Sequence, residues 1–359
     1  MHSSISNFDQ TKLKRVIPKG NWLKYLITSL FFLLIFTTAW ELFVRAQGFE
    51  PSLDDSYDLW ANTRAKINDD PKQIVLLGSS QVLLDFNLEI FHQEMGVIPI
   101  QLASAVANPL IYLDDIANNT NFKGTVILAI DLKLSEFKNG LADIRAKKQL
   151  SYFYDWTISQ KTAFFLSLIL DKNLAFIGQD KVKAKYFLKQ LRGKDKTIEP
   201  PFLFRIEDLN RQGYMTNMVT NNEAYQTMVK NYMLPLSADR ILKLKEPEFQ
   251  IKPDSINYYL SQLKPSIDKI RSRGGKVVLV HLPLMGNLKL VSDSLLPRKN
   301  FWERLMHESN ANFTIHNEDY STLNTFNCPD WAHLTISDSK IFTKNFLTIF
   351  KNLSHSKNN

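Results

Sequence analysis

Two kinds of hydrophobic pattern alternate along this chain of 359 residues. Short apolar runs, three of them nearly continuous in Val, Ile and Leu, are separated by longer stretches whose apolar positions recur with helical spacing. Continuous runs of this kind are typical of strands that are covered on both faces of a parallel sheet. The five predicted strands are 73–77, 98–103, 125–132, 276–282 and 312–316.

Capping and stop signals mark the helices between these strands. Asn87 and Gly96 bound one of them, since Asn is a favoured N-cap and Gly a favoured stop. The predicted helices are 88–95, 109–117, 256–273, 301–308 and 338–353. This alternation predicts an α/β fold with three layers, α/β/α, around a five-stranded, mostly parallel, flavodoxin-like sheet.

The region 138–252 interrupts the alternation. It contains amphipathic stretches at 162–170 and 180–191, followed by the loop-like stretch 197–225. We predict a largely helical insertion between the third and fourth strands, so that 73–137 and 253–359 form the α/β domain. The insertion either covers the site as a lid or packs on the sheet edge, and the pattern fits both.

The apolar segment 25–44 predicts a transmembrane helix. Residues 25–40 carry no charge, and with the residues beyond Glu41 the segment reaches the roughly 20 residues that a spanning helix needs. Interfacial aromatic residues stand near both ends, at Trp22, Tyr25 and Trp40.

The charges on either side of this segment predict its orientation. Basic residues precede it (Lys12, Lys14, Arg15, Lys19 and Lys24), whereas acidic residues follow it. The positive-inside rule then places 1–24 in the cytoplasm and the rest on the periplasmic side of the inner membrane, with 45–72 as a stalk that contains a helix at 56–66. A cleaved signal peptide is the alternative, against which the long polar lead argues.

Composition narrows the class of protein. With 44% hydrophobic and 22% charged residues the chain suits a globular protein, and the single Cys328 excludes a disulfide framework within the chain and any zinc site built from several cysteines. The lysine-rich stretch 181–196, which contributes to the net charge of +8, is either a solvated helix face or a surface for anionic lipid or acidic glycan. A nucleic-acid partner is not expected on the outer side of a membrane, and no motif for a metal or a nucleotide cofactor occurs.

The candidate chemistry lies in two short segments far apart in the chain. Ser80 follows Gly78 at the end of the first strand, and Asp330 and His333 precede the last helix. Ligands of open parallel sheets bind beyond the carboxyl ends of the strands, where Ser80 is expected. Asp-x-x-His spacing lets the carboxylate hold one imidazole nitrogen while the other serves as a base toward serine.

These segments resemble the SGNH (GDSL-like) hydrolases, and more closely their membrane-anchored bacterial relatives that act in polysaccharide O-acetylation. The resemblance covers about residues 70–137 and 275–350. It implies Ser80 as nucleophile, His333 as base and Asp330 as the partner of the histidine. Ser79 occupies the place of the Asp in the Gly-Asp-Ser form.

Two positions depart from the family pattern. The oxyanion-hole glycine of the second block falls at Val106, and the Asn of the third block falls at Asp131. A carboxylate cannot stabilise an oxyanion unless it is protonated. The amide of Gln81 and the side chain of Asn108 are the replacements that the sequence offers.

Each site residue also has an ordinary structural interpretation. Ser80 could serve only as the cap of the next turn, Asp330 as a surface residue and His333 as a structural loop residue. His281, at the end of the fourth strand before Pro283, either lines the same site or only ends its strand.

The resemblance implies a membrane-anchored serine esterase or O-acyl(acetyl)transferase that acts on a cell-surface glycan or another acyl ester. The alternative is an inactive SGNH-like protein that binds carbohydrate or assists assembly. A tethered partner of an integral membrane acyltransferase is a third possibility. We expect the membrane and a glycan as partners, and neither a cofactor nor a metal.

Overall fold

The computed structural model describes residues 20–130, 140–177, 202–233 and 253–356. It divides the chain into two compact units, with the boundary between Phe43 and Val44. The predicted helix 180–191, the lysine-rich stretch 181–196 and Asp131 lie outside the described residues.

The first unit consists of most of helix α1 (Trp22–Ala46). Within the described part of the chain this is the one helix long and apolar enough to cross a membrane. It extends the predicted span 25–44 by a few residues at each end.

The second unit contains the remaining elements. Its helices are α2 (Tyr57–Arg64), α3 (Ser80–Asp85), α4 (Leu88–Met95), α5 (Pro109–Asn119), α6 (Leu141–Tyr154), α7 (Ile158–Asp171), α8 (Asn217–Asn221), α9 (Glu223–Met233), α10 (Pro253–Ser272), α11 (Gly286–Leu295), α12 (Trp302–Glu308) and α13 (Ile336–Ser356). Its strands are β1 (Ile74–Leu77), β2 (Ile100–Gln101), β3 (Thr125–Ala129), β4 (Phe204–Ile206), β5 (Gly213–Met215), β6 (Lys276–His281) and β7 (Phe313–His316).

Five of these strands form one sheet in the order β2-β1-β3-β6-β7, and every neighbouring pair is parallel. The predicted α/β class and the five-stranded parallel sheet are therefore confirmed. All five strands end at the same edge of the sheet, since they run in one direction.

Successive residues of the strands enter two separate hydrophobic clusters, as the period of two requires. Val75 and Leu77 belong to a cluster with residues of α5, α10 and α12. Ile74 and Leu76 belong to a cluster with residues of α3, α4 and α13. Burial of both sides explains why these strands read as continuous apolar runs.

The predicted stalk at 45–72 differs from the structure. Trp60 of α2 is fully buried, and its Nε1–H donates to the carbonyl of Leu102 at 3.1 Å. Arg64 forms a buried ion pair with Asp115 at 2.6 Å. These contacts make 45–72 part of the α/β unit. If the segment detached, the packing of the buried indole and the buried ion pair would both be lost.

The insertion also differs in detail from the prediction. The stretch 197–225, predicted as a loop, contains the antiparallel pair β4 and β5, in which Phe204 lies opposite Met215. The helices α3 and α11 were not predicted, and β2 is shorter than the predicted strand 98–103. The buried side chain of Gln101 bonds to Val82 and Ala103 where the strand ends.

Candidate active site

A tight turn at the carboxyl end of β1 presents Ser80. Gly78 is required there because a Cβ at this position would lie 2.3 Å from Cγ2 of Val82 and 3.2 Å from Cβ of Ala129. Ser80 then begins α3 and is half-buried, so its hydroxyl sits at the edge of the sheet where ligands of parallel sheets bind.

The loop before α13 brings Asp330 and His333 to this turn. Nε2 of His333 lies 2.9 Å from Oγ of Ser80, and its Nδ1 lies 2.7 Å from Oδ2 of Asp330. The other carboxylate oxygen of Asp330 accepts the backbone N–H groups of Ala332 and His333 at 3.1 and 2.9 Å. The three predicted residues are therefore joined in one hydrogen-bonded chain.

The protonation state of this chain follows from burial and partners. Asp330 and His333 are fully buried. Burial alone would raise the pKa of Asp330, but His333 and the hydrogen bonds around it hold that pKa below its usual value. An ionised carboxylate only accepts hydrogen bonds, so Nδ1 of His333 carries a proton, and in the neutral imidazole Nε2 accepts from the hydroxyl of Ser80.

Two residues of α3 hold the loops around the site together through contacts that the sequence did not predict. The side chain of Gln81 donates to the carbonyls of Pro283 and Ala332, each at 3.1 Å. Oδ1 of Asp85 accepts the backbone N–H of Leu334 at 2.8 Å. The only sequence signal was a polar residue inside the short apolar stretch of α3, which does not reveal partners 202 to 251 positions away.

Asp85 is also the most perturbed carboxyl beside the site. It is fully buried, and burial, opposed by the nearby His333, raises its pKa to about 8. Its Oδ2 has no hydrogen-bond partner among the described residues. A carboxyl that stays protonated at neutral pH avoids placing a second negative charge next to Asp330.

The three predicted oxyanion donors differ in their position, exposure and hydrogen-bond partners. The amide of Gln81 lies in the first turn of α3, where N–H groups lack partners within the helix. Val106 is 42% exposed and has a φ of 59°, in a turn closed by Ala107 and Ser104. Asn108 caps α5 and donates its amide to Asp143 at 2.8 Å, so its side chain is already committed.

His281 belongs to a different group of side chains at the same sheet edge. Its Nδ1 bonds to Asn317 at 2.8 Å, and its ring stacks on His316 with the centroids 4.2 Å apart. Both rings line a cavity of about 210 Å³ together with Trp302 and Arg298. Burial lowers the pKa of His281 and of His316, so both imidazoles are neutral.

Within the described ranges, no three His, Cys, Asp or Glu side chains are grouped so that they could hold a metal ion. The serine, imidazole and carboxylate are the groups at this site that could perform chemistry, and their arrangement suits nucleophilic attack on a carbonyl. Comparison of the chain with protein-family models and with curated proteins found no match.

Proposed function

We propose that this protein is a membrane-anchored serine esterase or O-acyltransferase of SGNH type. The observation that carries the proposal is the hydrogen-bonded chain from Ser80 through His333 to Asp330. Such a chain activates a hydroxyl that is a weak nucleophile at its ordinary pKa. Ser80 is the member that reaches the surface, as a nucleophile must.

The reaction would proceed in two steps. Oγ of Ser80 attacks the ester carbonyl while its proton moves to Nε2 of His333, and the tetrahedral intermediate expels the alcohol, which takes that proton. The same nitrogen then removes a proton from water or from a sugar hydroxyl, which attacks the acyl-serine. The bond from the acyl carbon to Oγ of Ser80 breaks, and Oγ takes the proton back from Nε2. Asp330 holds the imidazole in orientation and stabilises its cationic form.

We also propose that the fold is a three-layer, flavodoxin-like α/β/α arrangement of SGNH type. The strand order follows the 2-1-3-4-5 pattern of flavodoxin-like sheets once the five strands are numbered along the chain. Hydrophobic clusters on opposite strand faces support a three-layer α/β/α arrangement. Gly78-Ser79-Ser80 and the Asp-x-x-His segment support the SGNH assignment.

The location and the partners are proposed from the N-terminal segment and from the family resemblance. The basic residues before α1 support an N-terminus in the cytoplasm and a catalytic unit in the periplasm, with the helix in the inner membrane. A cell-surface polysaccharide is the proposed substrate, and an integral membrane acyltransferase is the proposed source of acyl groups. Co-purification of such a protein with the full chain tests the second part.

The predicted oxyanion donors support the alternative, which is an inactive carbohydrate-binding or assembly protein. Asn108 is bonded to Asp143, and Val106 has no side-chain donor. The amide of Gln81 would then act alone, and losing one oxyanion donor costs about 10²- to 10³-fold in turnover. This alternative predicts saturable glycan binding that His333→Ala leaves unchanged, without ester turnover.

Labelling with a fluorophosphonate probe tests the proposed nucleophile. The full chain in detergent is compared with Ser80→Ala and with Ser79→Ala, which removes the neighbouring hydroxyl. We expect labelling and hydrolysis of an aryl acetate by the unchanged chain and by Ser79→Ala, and neither by Ser80→Ala.

Labelling that persists in Ser80→Ala would show that another residue reacts. Absence of both labelling and hydrolysis in the folded, unchanged chain would favour the inactive alternative. Glycan binding measured on the same samples separates that alternative from a damaged preparation.

A further inference from the structure

Helix α7 carries apolar side chains on two opposite faces. Its inner face buries Phe164 and Leu168 against the cluster that covers one side of the sheet. Its outer face is formed by residues at helical spacing that remain exposed: Ile158 (82%), Phe165 (50%), Leu166 (65%) and Ile169 (68%). Contiguous apolar side chains that stay exposed on a protein surface mark a site of contact with another protein or with a membrane, and this outer face is of that kind.

Two polar side chains along the outer face have hydrogen-bond partners on the helix itself. Thr162 donates its hydroxyl to the carbonyl of Ile158 at 3.0 Å. Near its end, the amide of Asn173 donates to the carbonyl of Ile169 at 2.7 Å. Polar atoms that are satisfied internally can enter an apolar phase without the cost of an unmade hydrogen bond.

The end of α7 is attached to the chain where it leaves the apolar helix α1. Arg45, in the last turn of α1, donates to the carbonyl of Asn173 at 2.9 Å. Ile169 lies four residues before Asn173, or about 6 Å along a helix. The end of α7 is therefore bonded to a residue that directly follows the apolar stretch of the chain.

Cations border this face. Lys161 and Lys172 are exposed and lie eleven residues apart, which is three helical turns, so they follow one side of the helix. Lys161 lies over the ring of Trp156, with its Nζ 5.0 Å from the ring centroid. Lysines beside an apolar helix face, with an aromatic ring nearby, suit an interface of anionic lipid headgroups and acyl chains.

We propose that the outer face of α7 lies in the interfacial layer of the bilayer, as a second, non-spanning contact of the catalytic unit with the membrane. The proposal rests on the membrane anchoring by α1 proposed above. It would give this unit an attachment to the bilayer in addition to α1.

Fluorescence quenching in the full chain tests this placement. A bimane label is attached to a cysteine introduced by Leu166→Cys or Ile169→Cys, in a background where the buried Cys328 is replaced by alanine. Phe32→Cys on α1 reports on the anchor. Ile341→Cys is the matched control, because Ile341 is an exposed isoleucine (52%) on another helix. All variants are reconstituted in vesicles of phosphatidylcholine and phosphatidylglycerol.

We expect brominated lipids to quench the labels at 166 and 169 several-fold more than the label at 341, whereas aqueous iodide quenches mainly the label at 341. Iodide quenching at 166 and 169 that matches 341 would overturn the proposal, since the face would be in water. Protection from both quenchers would also overturn it, because a protein would then cover the face. A label at 32 that lipid does not quench would instead refute the anchor and the premise with it.

Discussion

At the scale of single residues, Asp85 shows how burial sets the state of a charge. Its carboxyl is fully buried beside His333 and accepts one backbone N–H, from Leu334. Burial raises its pKa to about 8, so the folded protein keeps a proton that the unfolded chain loses near pH 4. Between these two values the folded state binds more protons, so its stability falls as pH rises.

Asp85→Asn should remove this pH dependence. The amide keeps an oxygen for Leu334 but does not ionise, so unfolding free energies of the variant and the unchanged chain should be similar near pH 4. By pH 8 the variant should be more stable by on the order of a few kcal/mol. Denaturant unfolding across this range measures the difference. Asp319→Asn, at an exposed carboxylate paired with Arg298, is the control, and equal pH slopes for Asp85→Asn and the unchanged chain would contradict the assignment.

The site residues differ in how far the sequence could predict them. Ser80, Asp330 and His333 have local signals, because a turn follows a strand and a fixed spacing precedes a capped helix. Asp85 and the side chain of Gln81 have none, since their partners lie about 250 positions away. Val106 was predicted by position in a motif and Asn108 as a nearby replacement for it, and position does not reveal that the side chain of Asn108 is bonded elsewhere.

At the scale of elements, the start of α11 is fitted closely to the loop that carries the site. Gly286 has a φ of 52°, and a Cβ there would lie 2.4 Å from Nε1 of Trp331. Met285 donates its backbone N–H to the carbonyl of Trp331 at 2.9 Å. Trp331 lies between Asp330 and His333, so displacement of its ring moves the residues on both sides.

Gly286→Ala should therefore lower both stability and reaction of Ser80. Gly96→Ala is the matched control, because Gly96 has a φ of 73° but nothing within 4 Å of a new Cβ. The control should lose only the conformational cost, about 1–2 kcal/mol, and keep its labelling rate. Gly286→Ala should lose more than this and label more slowly. Equal losses in thermal unfolding and labelling would show that Trp331 moves freely.

The strands β4 and β5 could not be predicted because distant contacts hold them. Each has three residues, which is too short for a clear alternation. The buried Arg211 between them donates to Asp55 at 2.6 Å and to the carbonyl of Gln101 at 2.6 Å. A single guanidinium thus ties the hairpin to the segment before α2 and to the end of β2.

Arg211→Met should destabilise the protein by about 3–5 kcal/mol, because it leaves the carboxylate of Asp55, whose side chain is only 10% exposed, without its cation. Adding Asp55→Leu should recover part of this loss, which denaturant unfolding of both variants measures. Arg205→Met on the same hairpin is the control. Arg205 is partly exposed and pairs with Glu50, so its loss should cost no more than about 1 kcal/mol. Equal costs at 205 and 211 would contradict this account.

At the scale of the whole molecule, the hydrophobic pattern predicted the fold class, but it placed the start of the α/β unit at residue 73 instead of Val44. Apolar runs and helical spacing are local properties, so they were sufficient for the parallel sheet and for α1. The extent of a domain depends on which distant residues pack together. The segment 45–72 between the apolar span and the first strand was predicted as a stalk, yet Leu59 and Trp60 within it are fully buried in the α/β unit.

Truncated chains distinguish a folded unit that begins at Val44 from one that begins at Gln73. A chain that begins at Val44 should keep its near-ultraviolet circular dichroism and a cooperative thermal transition, whereas a chain that begins at Gln73 should lose both. The shorter chain lacks Trp60, worth about 3–5 kcal/mol when truncated to alanine. It also leaves Asp115 buried without Arg64, at a similar cost. Together these losses approach the 5–15 kcal/mol that typically stabilises a domain.

A chain that begins at Val44 and carries Trp60→Ala is the matched control, measured under the same conditions. It should unfold cooperatively at a lower temperature, because it loses the indole and keeps the pair of Arg64 with Asp115. If the chain beginning at Gln73 unfolds as cooperatively as the one beginning at Val44, the segment contributes no essential packing and acts as a stalk. If the control alone abolishes the transition, the indole accounts for the whole effect and the ion pair contributes little.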